Sequence, residues 1–221
     1  MKKILMTLVA VFATMTMSAQ YYVGGTLGFT SNKTNSTFTT IETTTTDFTI
    51  APEIGMALDE KMGVGIAITF NTSSTEDKWT GTGADPVAKR LKPTTTTIGL
   101  RPYVRYQLMT LGKFNVFADG GINFSIDKTS EVGFKPASTD TYDNKAGMNI
   151  GLFVQPGVAF KVNDKLSLVT KLDDMFTLGY RKYQVADLDG APDADSDFNF
   201  RAKTNSLFQL GTLRFGLFYN F

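Results

Sequence analysis

The last nine residues, Leu213-Arg-Phe-Gly-Leu-Phe-Tyr-Asn-Phe221, place a large apolar or aromatic side chain at every second position. Leu213, Phe215, Leu217, Tyr219 and Phe221 form one row, and Arg214, Gly216 and Asn220 fall between them. A period of two belongs to a strand whose faces meet different surroundings. Phe218 alone breaks the row. Such a strand buries its apolar face against a second protein layer or against lipid, and the rest of the chain decides between these.

The same alternation recurs along the sequence and predicts eight strands. The first, Gln20 to Ser31, sets Tyr21, Val23, Leu27 and Phe29 against Tyr22, Gly24, Thr26 and Gly28. The second, Asp47 to Leu58, directs Ile50, Ile54, Met56 and Leu58 outward and Ala51, Glu53 and Gly55 inward. The third runs from Met62 to Asn71. The fourth alternates Ile98, Leu100, Val104, Tyr106 and Leu108 with Gly99, Arg101, Tyr103, Arg105 and Gln107. The fifth (Phe114 to Asp127), sixth (Ala146 to Val162), seventh (Lys165 to Tyr180) and eighth (Thr204 to Phe221) follow. In the seventh, parity turns Asp174 toward the apolar side, which requires a bulge at Asp173-Asp174 or a place near an interface.

Three short turn clusters, Asp59-Glu60-Lys61, Thr110-Leu111-Gly112-Lys113 and Asn163-Asp164-Lys165, lie about 52 residues apart and alternate with longer polar stretches. Tight connections on one side and long ones on the other suit a transmembrane barrel with short periplasmic turns and extended extracellular loops. Beyond the N-terminus no apolar run reaches the length of a membrane-spanning helix. Lys2 and Lys3, the apolar run from Ile4 to Met15, and Ser18-Ala19 read as a secretory signal peptide over residues 1–19, leaving 20–221 as the barrel domain. Without Lys2 and Lys3 the count of 22 Lys+Arg falls to 20, against 21 Asp+Glu, a balance with no general attraction to nucleic acid.

A soluble barrel would carry its apolar face inside and many Lys and Glu outside. Here the apolar face is bulky in every strand, while the opposite face is rich in Gly and Ala with few charges. That assignment is an all-β, eight-stranded antiparallel up-and-down transmembrane β-barrel with lipid on its bulky face. Slipping the fourth strand by one residue would turn Arg101 and Arg105 into hydrocarbon at about 2–4 kcal/mol each. The lumen is therefore expected to hold Glu53, Arg101, Arg105, Asp119, Lys171, Asp173 and Arg214 as a network of ion pairs that plugs a barrel too narrow for a wide channel.

Together these features resemble the small outer-membrane barrels of the outer-membrane protein A and X type. The resemblance covers essentially all of the mature chain and implies a bacterial outer-membrane location, lipid and lipopolysaccharide as surroundings, and delivery by periplasmic chaperones. It also implies that Leu217, Tyr219 and Phe221 form the signal read by the barrel-assembly machinery. A monomer is expected, without the periplasmic peptidoglycan-binding domain that longer members of the resembled family carry.

The chain has no Cys and no His, which removes the usual general base and the commonest metal ligand. Some eight-stranded barrels of the resembled kind modify lipid A, the deacylase among them through a His-Ser pair, so catalysis here would need a Ser-Lys arrangement or a carboxylate pair such as Asp119/Asp173. Asp193, Asp195 and Asp197, in a stretch read as a polar loop, have Ca²⁺-ligand spacing but lack the Gly and Glu of a helix-loop-helix calcium site. No cofactor or metal is expected. The leading functional expectation is a non-enzymatic membrane anchor with surface loops for interaction or envelope integrity. A narrow passive pore for ions or small solutes is the alternative, and a lipid-A-modifying enzyme a remote one.

Overall fold

The computed structural model describes residues 20–36, 41–79, 91–133, 145–186, 192–202 and 213–221. They form ten antiparallel strands: β1 (Tyr21–Ser36), β2 (Ile41–Ala57), β3 (Met62–Trp79), β4 (Leu91–Leu111), β5 (Phe114–Gly133), β6 (Lys145–Lys161), β7 (Leu166–Lys171), β8 (Phe176–Ala186), β9 (Pro192–Ala202) and β10 (Arg214–Asn220). Each strand from β1 to β6 pairs with the next. β6 pairs with β7 along one half and β8 along the other, β8 pairs with β9, and β7 pairs with β10. β10 returns to β1 from Tyr22↔Asn220 to Gly28↔Arg214, which closes the ring. β7 and β8 are two parts of one transit, as are β9 and β10, so the barrel crosses eight times.

The short turns are shaped by their own side chains. Asp59 accepts hydrogen bonds from the backbone N–H of Lys61 and Met62, each 2.7 Å, and Asn163 does the same for Lys165 (2.9 Å) and Leu166 (2.8 Å). In the third turn Gly112 takes φ 61°, a left-handed conformation that side chains resist.

Expectation and structure differ at the other end of the barrel. Alternation ends near Ser31, Asn71 and Asp127, yet β1, β3 and β5 continue to Ser36, Trp79 and Gly133, and β2 and β4 begin at Ile41 and Leu91. These arms are rich in Thr and Ser, whose hydroxyls meet across strands, as in Thr95–Thr129 at 2.9 Å. β-Branched Thr favours a strand, but where both faces are polar no apolar period remains to betray one. Residues 192–202, read as part of an acidic loop, likewise form a strand paired with β8. The eighth strand, expected from Thr204, is described from β10 at Arg214, and residues 203–212 lie outside the described residues, as do 1–19.

Large apolar side chains are exposed around the whole outer wall. Register aligns them into a belt: at its upper edge Phe29 faces Phe48, Ile98 lies between Phe70 and Ile126, and Ile126 faces Met148. Tyr180 faces Phe198 on β9. From Met62 to Phe70 the belt spans roughly 26 Å along β3, a length that matches a tilted crossing of the outer membrane.

Ile66, exposed on β3 between Ile54 and Pro102 and midway from Met62 to Phe70, marks the middle of this belt. Ile66→Arg is expected to destabilise the barrel in vesicles by about 2–4 kcal/mol, and Thr96→Arg, beyond the belt, by about 0–1 kcal/mol, measured by urea unfolding. Equal costs at the two positions would contradict the membrane placement.

Candidate functional site

The inward row carries two neutral layers of ion pairs. In the first, Lys171 Nζ lies 2.6 Å from Glu53 Oε2 and 3.0 Å from Asp119 Oδ2. Arg105 grips Asp119 with both ends of its guanidinium, Nε to Oδ1 at 2.7 Å and Nη2 to Oδ2 at 2.9 Å. Arg105 and Asp119 are direct cross-strand partners, so β4–β5 register alone positions this bidentate pair. The ring closes more loosely between Arg105 Nη2 and Glu53 Oε1 at 3.6 Å. That distance exceeds a hydrogen bond and leaves Glu53 Oε1 as a buried acceptor without one. A cavity of about 10 Å³ adjoins Glu53, room for about one bridging water.

The second layer lies toward the long-strand end. Arg101 bonds Asp174 at 2.6 Å and stacks 3.7 Å from the centre of the Phe153 ring, while Arg214 contacts Asp173 at 3.4 Å. Asp174 reaches inward because the wall is bulged. Between Gly157↔Lys171 and Val154↔Phe176, β6 advances three residues while its partner advances five, which inserts two extra residues. Leu172 and Met175 keep their hydrogen bonds to Pro156 and Val154, so the bulge is held at both ends. Farther along, Asp127 accepts from Asn149 at 2.6 Å and Arg181 at 3.3 Å.

Aromatic rings fill what the charges leave. Tyr22, Tyr103, Phe117 and Phe218 are buried, and their rings lie 4.1–5.3 Å from the Arg105 guanidinium carbon. The Tyr22 and Tyr103 hydroxyls hydrogen-bond at 2.8 Å. Each ring stands across from a glycine on the neighbouring strand: Tyr22↔Gly55, Tyr103↔Gly65, Phe117↔Gly157 and Phe218↔Gly24. A Cβ on any of the four glycines would fall within 2.3–2.5 Å of its ring or hydroxyl, so the glycines are the space the rings occupy. Toward the short turns a vestibule of about 240 Å³ ends on Tyr22, Arg105, Phe117 and Phe218, with Asp59, Lys61, Lys161 and Asp164 among the residues lining it.

All seven expected lumen residues thus face inward, four in the ring (Glu53, Arg105, Asp119, Lys171) and three in the second layer (Arg101, Asp173, Arg214). Asp119 and Asp173, weighed together as a catalytic pair, are held in separate layers by separate cations. Leu217, Tyr219 and Phe221 are exposed on the outer wall, where Tyr219 and Phe221 meet edge to face at 5.1 Å. Sequence reasoning missed Asp174 as the fourth anion and the rings as a group. Two signals pointed to them: the wrong parity of Asp174, and Phe218, whose break in the terminal alternation turns it into the lumen. Asp193, Asp195 and Asp197 lie on β9, with Asp197 across from Arg181.

A family model described as outer membrane protein beta-barrel domain matches residues 4–221. The solved structure of the outer membrane protein OprG from Pseudomonas aeruginosa is similar at 12% identity over 92% of this chain and 95% of that chain, with a TM-score of 0.55. A major outer membrane protein from Thermus thermophilus aligns at 16% identity over 92% and 100% of the two chains, with a TM-score of 0.46. At such identities the OprG likeness bears on the fold alone. No curated protein matches the chain.

Phe218→Ala would remove the ring over Gly24 and open the vestibule toward Arg105. A loss of about 3–5 kcal/mol is expected in urea unfolding from vesicles. An unchanged midpoint would contradict the role given to this ring.

Proposed function

The chain belongs to the outer membrane protein β-barrel domain family, and from that membership we propose that it is a non-enzymatic anchor that carries its long polar strands on the cell surface. The observation that supports this most is the filled lumen. A four-member ion ring, walled by four aromatic rings, separates the vestibule from the second layer of charges, and the cavity at its level has room for about one water. Conduction requires a continuous polar path with sites that ions can enter and leave. Paired cations and carboxylates under aromatic rings offer a structural cross-brace in its place. Each carboxylate of the two layers being held by a cation also favours a structural role over catalysis.

On this reading the short turns face the periplasm, residues 1–19 direct export, and the protein works as a monomer. Leu217, Tyr219 and Phe221 serve as the signal for the barrel-assembly machinery, supported by their exposure on the closing strand, where a partner can read them before β10 meets β1.

Purified protein in planar bilayers is expected to give no steady, stepwise ion current. Stable conductance steps that change size or ion preference in Arg105→Ala would overturn the anchor and establish the narrow pore.

A further inference from the structure

Two exposed lysines, Lys128 on β5 and Lys182 on β8, sit on the outward face one step beyond the last belt residues of their strands, Ile126 and Tyr180. Between them β6 presents Ala146, across from Lys128, and Met148, across from Lys182. Two strand spacings and a two-residue offset put their Cα atoms roughly 12 Å apart, within reach of a common headgroup for two flexible side chains. Thr96 lies across from Lys128 and Ser196 across from Lys182, which adds hydroxyls at the same level.

The acids of the neighbouring strands face the other way. Asp127 is buried on the lumenal side and bonded to Asn149 and Arg181, and Asp197 lies across from Arg181 on that same face. Lys33, also outward beyond the belt, is matched by Glu42 at 2.8 Å. Among the described residues Lys128 and Lys182 have no such acidic neighbour. Around β5, β6, β8 and β9 the wall is therefore sorted: Asp127 and Asp197 on the inner face, and a pair of ammonium groups outside, directly above an apolar surface.

We propose that Lys128 and Lys182 bind the phosphates of lipid A, the phosphorylated glucosamine lipid of the outer leaflet. Its acyl chains lie along Ile126, Met148, Tyr180 and Phe198. A lysine offers a compact, mobile point charge suited to phosphate, and this pair stands at the depth where hydrocarbon gives way to headgroups. The apolar row beneath it selects a lipid over free phosphate. The inference rests on the membrane placement and orientation proposed above.

The test is retention of purified lipid A by the folded, detergent-solubilised barrel through gel filtration, quantified by mass spectrometry. Lys128→Gln/Lys182→Gln is expected to retain roughly tenfold less than the parent, and Lys33→Gln as much as the parent. Lipid A stripped of its phosphates is expected to be lost from the unaltered protein, an arm that needs no variant. Equal retention by the double variant, equal retention of the stripped lipid, or displacement by millimolar inorganic phosphate would each overturn the proposal. Orientation is read separately, because the chain has no native cysteine: Thr34→Cys should react with an impermeant maleimide on intact cells and Lys113→Cys should not. Reversed labelling with phosphate-dependent retention would identify an error in orientation and leave the phosphate contacts standing, while overturning their assignment to outer-leaflet lipid A.

Discussion

Lys171 stands between two carboxylates, 2.6 Å from Glu53 and 3.0 Å from Asp119, and the closed lumen depends on that position. Hydrocarbon outside the wall can satisfy no polar group, so charges on a spanning strand must be satisfied within the barrel. Eight strands enclose space for little more than side chains. With Asp174 turned in by the bulge, the two layers hold four cations and four anions, and each layer is neutral by itself. Coulombic balance is local, which matters in a low-dielectric interior where an unpaired charge costs far more than in water.

The same constraint explains the glycines. A lumen of this width cannot take a ring and a facing side chain at one level, and the chain resolves this by placing each aromatic opposite a glycine. Tyr22, Tyr103, Phe117 and Phe218 then close around Arg105, whose guanidinium can stack on rings while donating to Asp119 in its own plane. Packing and electrostatics are in this way one arrangement: removing a ring exposes the ion ring to water, and removing an ion leaves a charge among rings.

How much of this could be read from residue order varies with the physics that fixes each part. Parity along one strand reports which face a residue takes, so the inward placement of Arg101, Arg105, Asp119 and Lys171 was legible. Which of them meet depends on register between strands far apart in sequence, such as Glu53 and Lys171, and no local pattern encodes it. The glycine–ring pairs were hidden for the same reason: an inner face rich in glycine looks empty until its neighbour is aligned. Beyond the belt the signal fades because both faces meet water, so the Thr-rich arms and the acidic first half of β9 read as loops, and Phe198 and Phe200 leave β9 too short an apolar alternation to mark it as a strand. Two irregularities carried more information than the regular pattern around them. Phe218 interrupts an apolar row because it belongs to the lumen, and Asp174 has the wrong parity because the wall bulges there.

The central claim, that a coupled ion ring holds the lumen shut, is tested most directly by a double-mutant cycle between Glu53 and Lys171. Unfolding free energies in vesicles would be measured for Glu53→Gln, Lys171→Met and the double variant. Each single change leaves a buried charge unmatched and should cost about 3–5 kcal/mol, whereas the double change should cost well under the sum. Costs that add would mean that the two side chains do not depend on each other, and the plug as described would be wrong.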